Sequence, residues 1–232
     1  MDEETAFAAG RSRERLRGAG QLFDLLRTEI MSLKLAPGTV LSRLELQERF
    51  GLSSTPIRDA LMRLQEEGLV DIFPQHATLV SRIDLRRARE AQFLRRSVEI
   101  EIVRLLAAAP DEQLVGQLRS IIRQQEAFAG LDEQEAFTAR DELFHRVLYE
   151  AADVADLWQV VRRQGGHIDR LRRLNLPVAG KMQEIVRDHA AVVDAVAKGE
   201  PRAAEEAMRA HLSRSLGFAD RLRDAHPDYF SD

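Results

Sequence analysis

The sequence predicts a mainly α protein in two parts: an amino-terminal winged helix-turn-helix domain and a carboxy-terminal all-α bundle of about six helices. Three observations carry this. Apolar residues recur at helical spacing through nearly all of the chain after residue 84, where proline is sparse. Residues 42–68 hold two short helical patterns joined by a glycine-containing turn. Residues 69–83 read as two short strands around Pro74-Gln75-His76-Ala77.

Composition sets the bounds. The 232 residues are 44% hydrophobic, ample for packed cores, and the 31% that are charged form no long like-charge block, so a wholly disordered chain is excluded. With no cysteine, disulfides and zinc-thiolate sites are excluded, and a metal must use His, Asp, Glu or water. The first ten residues are acidic and lack an apolar h-region, so no secretory signal is expected. No apolar run approaches the ~20 residues of a membrane span. The expectation is a cytoplasmic protein with no membrane association. The net charge is −4, although residues 11–83 hold 11 Lys/Arg against 9 Asp/Glu. Charge permits DNA binding without establishing it.

Residues 1–19 read as a flexible lead-in and 20–83 as the first domain. Leu22, Leu26, Ile30 and Leu33 make a one-sided helix. Leu35-Ala36-Pro37-Gly38-Thr39 is a turn, and Val40-Leu41 suits a short strand. Ser42 and Glu45 have capping-box spacing for a helix that runs to Phe50, where Gly51 supplies a left-handed residue. Ser53 or Ser54 caps the next helix, and Pro56 fits its first turn, whose N–H groups lack intrahelical partners. Ile57, Leu61 and Leu64 form its buried stripe. Arg58 and Met62 lie off that stripe, Arg63 flanks it, and Gly68 stops it. The helix start, Ser53-Ser54-Thr55, would face DNA phosphates. Arg58 would reach a base edge or phosphate, and His76 at the wing tip a minor groove.

Ser53-Ser54-Thr55-Pro56-Ile57-Arg58-Asp59-Ala60-Leu61, with Arg63-Leu64 and Glu67-Gly68-Leu69-Val70, resembles the DNA-binding domain of GntR-family bacterial transcription regulators. That family usually reads S-R-T-P-V-R-E-A-L. Here Ser54 replaces an arginine, Gln47 takes a small-residue position and Ala77 replaces a wing glycine. The resemblance implies DNA binding, with an operator that cannot be borrowed from relatives.

The second domain, 84–225, reads as helices 84–109, 111–129, 133–151, 153–175, 181–199 and 201–225, with a kink at Gly165-Gly166 and a tail at 226–232. Asp141 and His145 share a helix face with Phe144 and Leu148. His189 lies on the stripe of Ile185, Val192, Val193 and Val196, and His211 lies with Met208, Leu212 and Ser215. Each histidine alone reads as a hydrogen-bonded core residue, and Asp141 alone as an ordinary polar one. Together they point to a divalent metal, Zn, Ni, Mn or Fe, held between facing helices. His76, His167 and His226 lack this context.

D-E-L-F-H at 141–145, R-D-H-A-A-V-V-D-A-V-A-K-G at 187–199 and A-M-R-A-H-L at 207–212 resemble the FadR-type effector domain, FCD, of GntR regulators. The resemblance covers residues 20 to 222 and implies that Asp141, His145, His189 and His211 bind the metal. The family's R-x-x-L-E segment is matched by Arg95-Arg96-Ser97-Val98-Glu99, which makes Arg95 the effector-facing arginine. Arg96 offers the same chemistry one position along, and a surface salt bridge to Glu99 is the plainer reading of Arg95. A small carboxylate, such as a sugar acid or hydroxy acid, could bind the metal while Arg95 pairs with its other oxygens.

The expected function is a ligand-responsive transcription regulator, a repressor, acting as a homodimer on palindromic operator DNA. Its ligand must bind two states with different affinity. The alternatives are a constitutive dimeric DNA-binding protein with a structural metal, and a metal-dependent hydrolase or oxygenase. No additional general base accompanies the site, and an enzyme would leave the winged helix unexplained, so the chain is expected not to be an enzyme.

Overall fold

The computed structural model describes residues 18–214 and 216–231. The chain divides into two compact units, Met1–Ser81 and Arg82–Asp232. Residues 1–17 of the expected lead-in, and Ser215, lie outside the described residues.

The first unit opens with α1 (Ala19–Met31), which buries Leu22, Phe23, Leu26 and Ile30. Its stripe stops one turn earlier than the spacing predicts, because Leu33 leaves the helix with φ 62°. Helix α2 (Arg43–Phe50) starts as a capping box requires: Ser42 Oγ accepts the Glu45 N–H at 3.3 Å. It ends on Gly51 with φ 67°, whose N–H returns to the Gln47 carbonyl. Helix α3 (Ser54–Glu66) has Ser53 as N-cap, but without a side-chain cap bond. Ile57, Ala60, Leu61 and Leu64 face the core, so Thr55, Arg58 and Met62 face out.

Strands β1 (Val70–Phe73) and β2 (Ala77–Val80) form an antiparallel hairpin, with Val70 opposite Val80 and Phe73 opposite Ala77. Val40 bridges to Leu79, so the short strand expected there shrinks to one bridge. The hairpin accounts for Ala77 in place of glycine. The left-handed residue in the turn is Gln75, at φ 57°, while Ala77 sits within the ladder. No glycine is needed at 77.

The second unit holds eight α-helices among the described residues. They are α4 (Leu85–Ala108), α5 (Glu112–Gly130), α6 (Gln134–Ala151), α7 (Ala155–Gln164), α8 (Gly166–Asn175), α9 (Lys181–Ala197), α10 (Pro201–Ser213) and α11 (Ala219–Ala225). Asp84 caps α4 by accepting the N–H groups of Arg86 and Arg87, at 2.8 and 3.1 Å. Asp111 caps α5 in the same way through Gln113. The excess over six comes from two breaks. The expected 153–175 helix divides at Gly165, and the expected 201–225 helix stops at Ser213 and resumes after Gly217. The main core gathers Val103, Leu118, Phe144, Leu148, Val192 and Met208 between α4, α5, α6, α9 and α10.

The segment expected as a tail is part of the fold. Pro227–Tyr229 makes a short 3-10 turn, and Phe230 pairs in parallel with Ile83. The Ile83 N–H donates to the Tyr229 carbonyl at 2.7 Å, and the Ser231 N–H to the Ile83 carbonyl at 3.1 Å. Phe230 is buried with Ile83, Leu85, Leu171 and Leu222. An aromatic side chain with such a cluster available does not stay in water. No described helix is long and apolar enough to cross a membrane.

Candidate metal centre and DNA-binding face

In the second unit, α6 projects Asp141 and His145 from adjacent turns of one face, α9 supplies His189 and α10 supplies His211, all four buried. The three Nε2 atoms converge: His189 to His211 is 3.3 Å and His211 to His145 is 3.4 Å. Asp141 Oδ1 lies 3.6 Å from His189 Nε2. Zinc–nitrogen bonds of ~2.0–2.1 Å place tetrahedral ligands about 3.3 Å apart, so the imidazole spacing fits a metal.

The far side of each ring supports this. His145 Nδ1 lies 2.8 Å from Glu99 Oε2, although the pair is bent away from hydrogen-bond alignment. His189 Nδ1 lies 2.9 Å from Gln125 Oε1, and His211 Nδ1 lies 3.5 Å from Asp188 Oδ2. Gln125 hydrogen-bonds His189 Nδ1, and the carboxylates of Glu99 and Asp188 lie behind the other two rings without an aligned hydrogen bond; all three favour a proton on Nδ1, which leaves the Nε2 lone pairs facing one another. Asp141 Oδ1 is buried there with no hydrogen-bond donor. Converging lone pairs and an unpaired carboxylate oxygen repel unless a cation lies between them. The donor set therefore fits a divalent metal of the zinc, nickel, manganese or iron kind.

Protonation agrees. Burial pushes His145 from the usual 6.5 down to about 4, with Glu99 opposing and Arg95 assisting. Burial, with His211 beside it, also holds His189 well below its ordinary value. Burial works against the charge of Asp141, but Arg172 and the neighbouring histidines keep its carboxyl below the usual carboxylate range. Neutral imidazoles and an ionised carboxylate are the ligating forms.

Arg95 is buried rather than on the surface, and its Nε donates to Glu99 Oε1 at 2.7 Å. It lines a cavity of about 20 Å3 with Asp141, His145, Trp158, Ile168 and Arg172. A space of that size holds about one water, not a sugar acid, so an effector needs the lining to part. Arg96 does not line this cavity. One position along a helix is a turn of about 100°, which points it elsewhere.

Sequence reasoning missed Arg172, Gln125 and Asp188. Arg172 Nη2 donates to Asp141 Oδ2 at 2.7 Å, leaving Oδ1 for the histidines. Each of these residues touches its partner across a helix pair, and helical spacing carries no signal of that. Asp188 precedes one histidine yet faces another, His211.

In the first unit, Ser53, Ser54, Thr55 and Arg58 are exposed at the start of α3. Arg58 makes only a loose contact with Asp59, at 3.6 Å. Arg63 turns aside, its guanidinium 3.9 Å from the centre of the Phe23 ring of α1. His76 is exposed in the hairpin turn. The open amino terminus of α3 presents backbone N–H groups and hydroxyls, the donors that phosphate oxygens accept from.

The model of the bacterial regulatory proteins of the gntR family matches residues 19–80, and that of the FCD domain matches residues 90–214. The chain belongs to the GntR family of bacterial regulators. An HTH-type transcriptional regulator in an unstable DNA locus of Streptomyces ambofaciens is 38% identical to this GntR-family chain, over 89% of it and 86% of the relative. The HTH-type transcriptional repressor RspR of Escherichia coli is 29% identical over 91% and 93%. Among solved structures, E. coli McbR/YncC shares the fold at a TM-score of 0.74, with 17% identity, 88% of this chain and 97% of that one. A GntR regulator from Rhodococcus sp. RHA1 does so at 0.71, with 19% identity, 88% and 97%. These relatives are named regulators of transcription, not enzymes. The GntR-family match spans α1 to β2, so the first unit is a DNA-binding domain, and this chain is a transcriptional regulator of the GntR/FCD type.

Proposed function

We propose that this regulator is a repressor of the FadR subfamily that binds a palindromic operator as a homodimer and responds to a small carboxylate at a divalent metal in the second unit. The observation that carries the reading is the convergence of three Nε2 atoms and Asp141 Oδ1 beside the buried guanidinium of Arg95. Asp141, His145, His189 and His211 would hold the metal, which supplies a Lewis-acidic centre for a carboxylate oxygen. Arg95 would pair with the remaining oxygens. Ser53, Ser54, Thr55 and Arg58 would contact DNA, with Arg63 and His76 at the edges of the footprint. The repressor name of a relative that matches nearly full length supports the sense of regulation.

Because the cavity is small, the effector would select a conformation in which the lining has opened. That differential affinity is what lets it shift DNA binding. The same small cavity favours a second reading, a structural metal in a constitutive DNA-binding protein.

The deciding experiment screens metal-loaded protein by thermal shift against sugar acids, hydroxy acids and dicarboxylates. A hit should raise the midpoint by mass action, lose its effect in Arg95→Ala, and weaken operator binding. Hits that stabilise without changing operator affinity would favour the constitutive reading, and a protein that takes up no divalent metal after chelation and refilling sinks the metal site. On the DNA side, Arg58→Ala should weaken specific binding about 10- to 100-fold at fixed salt.

A further inference from the structure

His167 stands outside the proposed ligand set, yet it is buried and its Nδ1 meets two donors. The backbone N–H of Asp84 lies 3.0 Å away and Nη2 of Arg170 lies 3.2 Å away. A main-chain amide and a guanidinium can only donate, so Nδ1 is an acceptor. Asp84 is the N-cap of α4. Ile83, just before it, is held by backbone hydrogen bonds to Tyr229 and Ser231. The segment that opens the second unit is thus pinned at two adjacent residues.

One of those pins sits on the helix that touches the metal ligands. Helix α8 carries His167 near its start and Arg172 five residues on, and Arg172 Nη2 donates to Asp141 Oδ2 at 2.7 Å. Between them, Leu171 packs with Ile83, Leu85 and Phe230. A helix of three turns moves as one body, since bending it breaks its own hydrogen bonds. Whatever fixes Asp141 restrains α8, and α8 restrains Ile83 and Asp84.

We propose that His167 is a positioning residue: by accepting the Asp84 amide on the helix whose Arg172 holds Asp141, it couples order at the metal ligands to order in the segment that opens the second unit. This rests on the metal reading above. A cation on Asp141 and the three histidines ties α6, α9 and α10 together. Through Arg172 it also damps the motion of α8, which lowers the rate at which the Ile83 segment opens.

The test is residue-resolved amide hydrogen exchange on the full chain, with zinc alone as the probe against a chelated control, and metal content measured in parallel. In the wild type, zinc should slow exchange at Ile83 and Ser231 about tenfold, because these amides report local opening. Neither amide is bonded to His167, so their response does not simply record a lost acceptor. His167→Asn keeps an acceptor near the Nδ1 position and should preserve the effect. His167→Leu should abolish it at Ile83 and Ser231, while the Val193 amide in α9 still slows with zinc. His167→Gln, whose amide reaches the Nε2 position instead, serves as a second loss variant should the leucine variant not fold. Zinc-bound wild type with unchanged exchange at Ile83 and Ser231 overturns the inference, and so does retention of the effect in a folded loss variant. If the protein takes up neither zinc nor, in the same assay, nickel, manganese or iron, the metal reading falls and this inference with it, and the metal content tells the two failures apart.

Discussion

Glu99 has no exposed surface and serves three neighbours at once, Arg95, His145 and the hydroxyl of Tyr149. Its Oε1 accepts from Arg95 Nε, and its Oε2 lies against His145 Nδ1. Burial opposes its charge, but Arg95 and His145 together hold its carboxyl below the usual range. Glu99→Gln would leave the amide oxygen on Arg95 and turn the NH2 group to His145. That moves the ring proton to Nε2, where it blocks coordination. We expect metal affinity to fall about 10- to 100-fold, read by competition with a chromophoric chelator; unchanged affinity would remove Glu99 from the site. His145 gives a pH dependence. Its value falls from 6.5 to about 4 on burial, so the unfolded chain binds a proton that the folded one refuses. Metal-free protein should therefore have its full stability above about pH 6.5 and lose it progressively toward about pH 4, seen as a falling thermal midpoint. A flat profile would count against a neutral, buried His145. The buried convergence of Asp141, His145, His189 and His211 was legible because helical spacing puts each on an inward face. Their supports were not: Arg172 reaches Asp141 from 31 residues away, and Gln125 reaches His189 from 64.

Among the elements, those with end signals were legible and those held by distant packing were not. Ser42 and Gly51 each mark a helix end by local chemistry, and each does so in the structure; the helices expected from 84 and 111 begin one residue later, each on an aspartate cap. Gly165-Gly166 signalled a weak point, and α7 and α8 part there. The segment around Phe230 carried no such mark. Its hydrogen bonds go to Ile83, and Phe230 finds a cluster that includes Leu171 of α8 and Leu222 of α11. Phe230→Ala should destabilise the second unit by about 3–5 kcal/mol, the cost of emptying a buried aromatic site, measured by urea unfolding. A loss below about 1 kcal/mol would mean that this segment is only loosely docked.

At the scale of the molecule, the mainly α class followed from helical periodicity, and the winged helix-turn-helix from the glycine-containing turn and the strand pair after it. Two compact units are expected to unfold as two transitions rather than one, and among the described residues the histidine set lies in the second. Chelation should lower the later-assigned transition of the helical unit and leave that of the DNA-binding unit in place. Refilling with zinc at about 100 times its dissociation constant should restore about 2.7 kcal/mol to the helical unit, followed by calorimetry. Equal shifts in both transitions would contradict a metal confined to one unit. The Ile83–Phe230 pairing also dictates an order of events during synthesis. Chain growth at ~5–20 residues per second separates the two partners by on the order of ten seconds. The DNA-binding unit can close on the ribosome in that interval, while the helical unit waits for Phe230, leaving Ile83 and its cluster open to chaperones until that residue emerges.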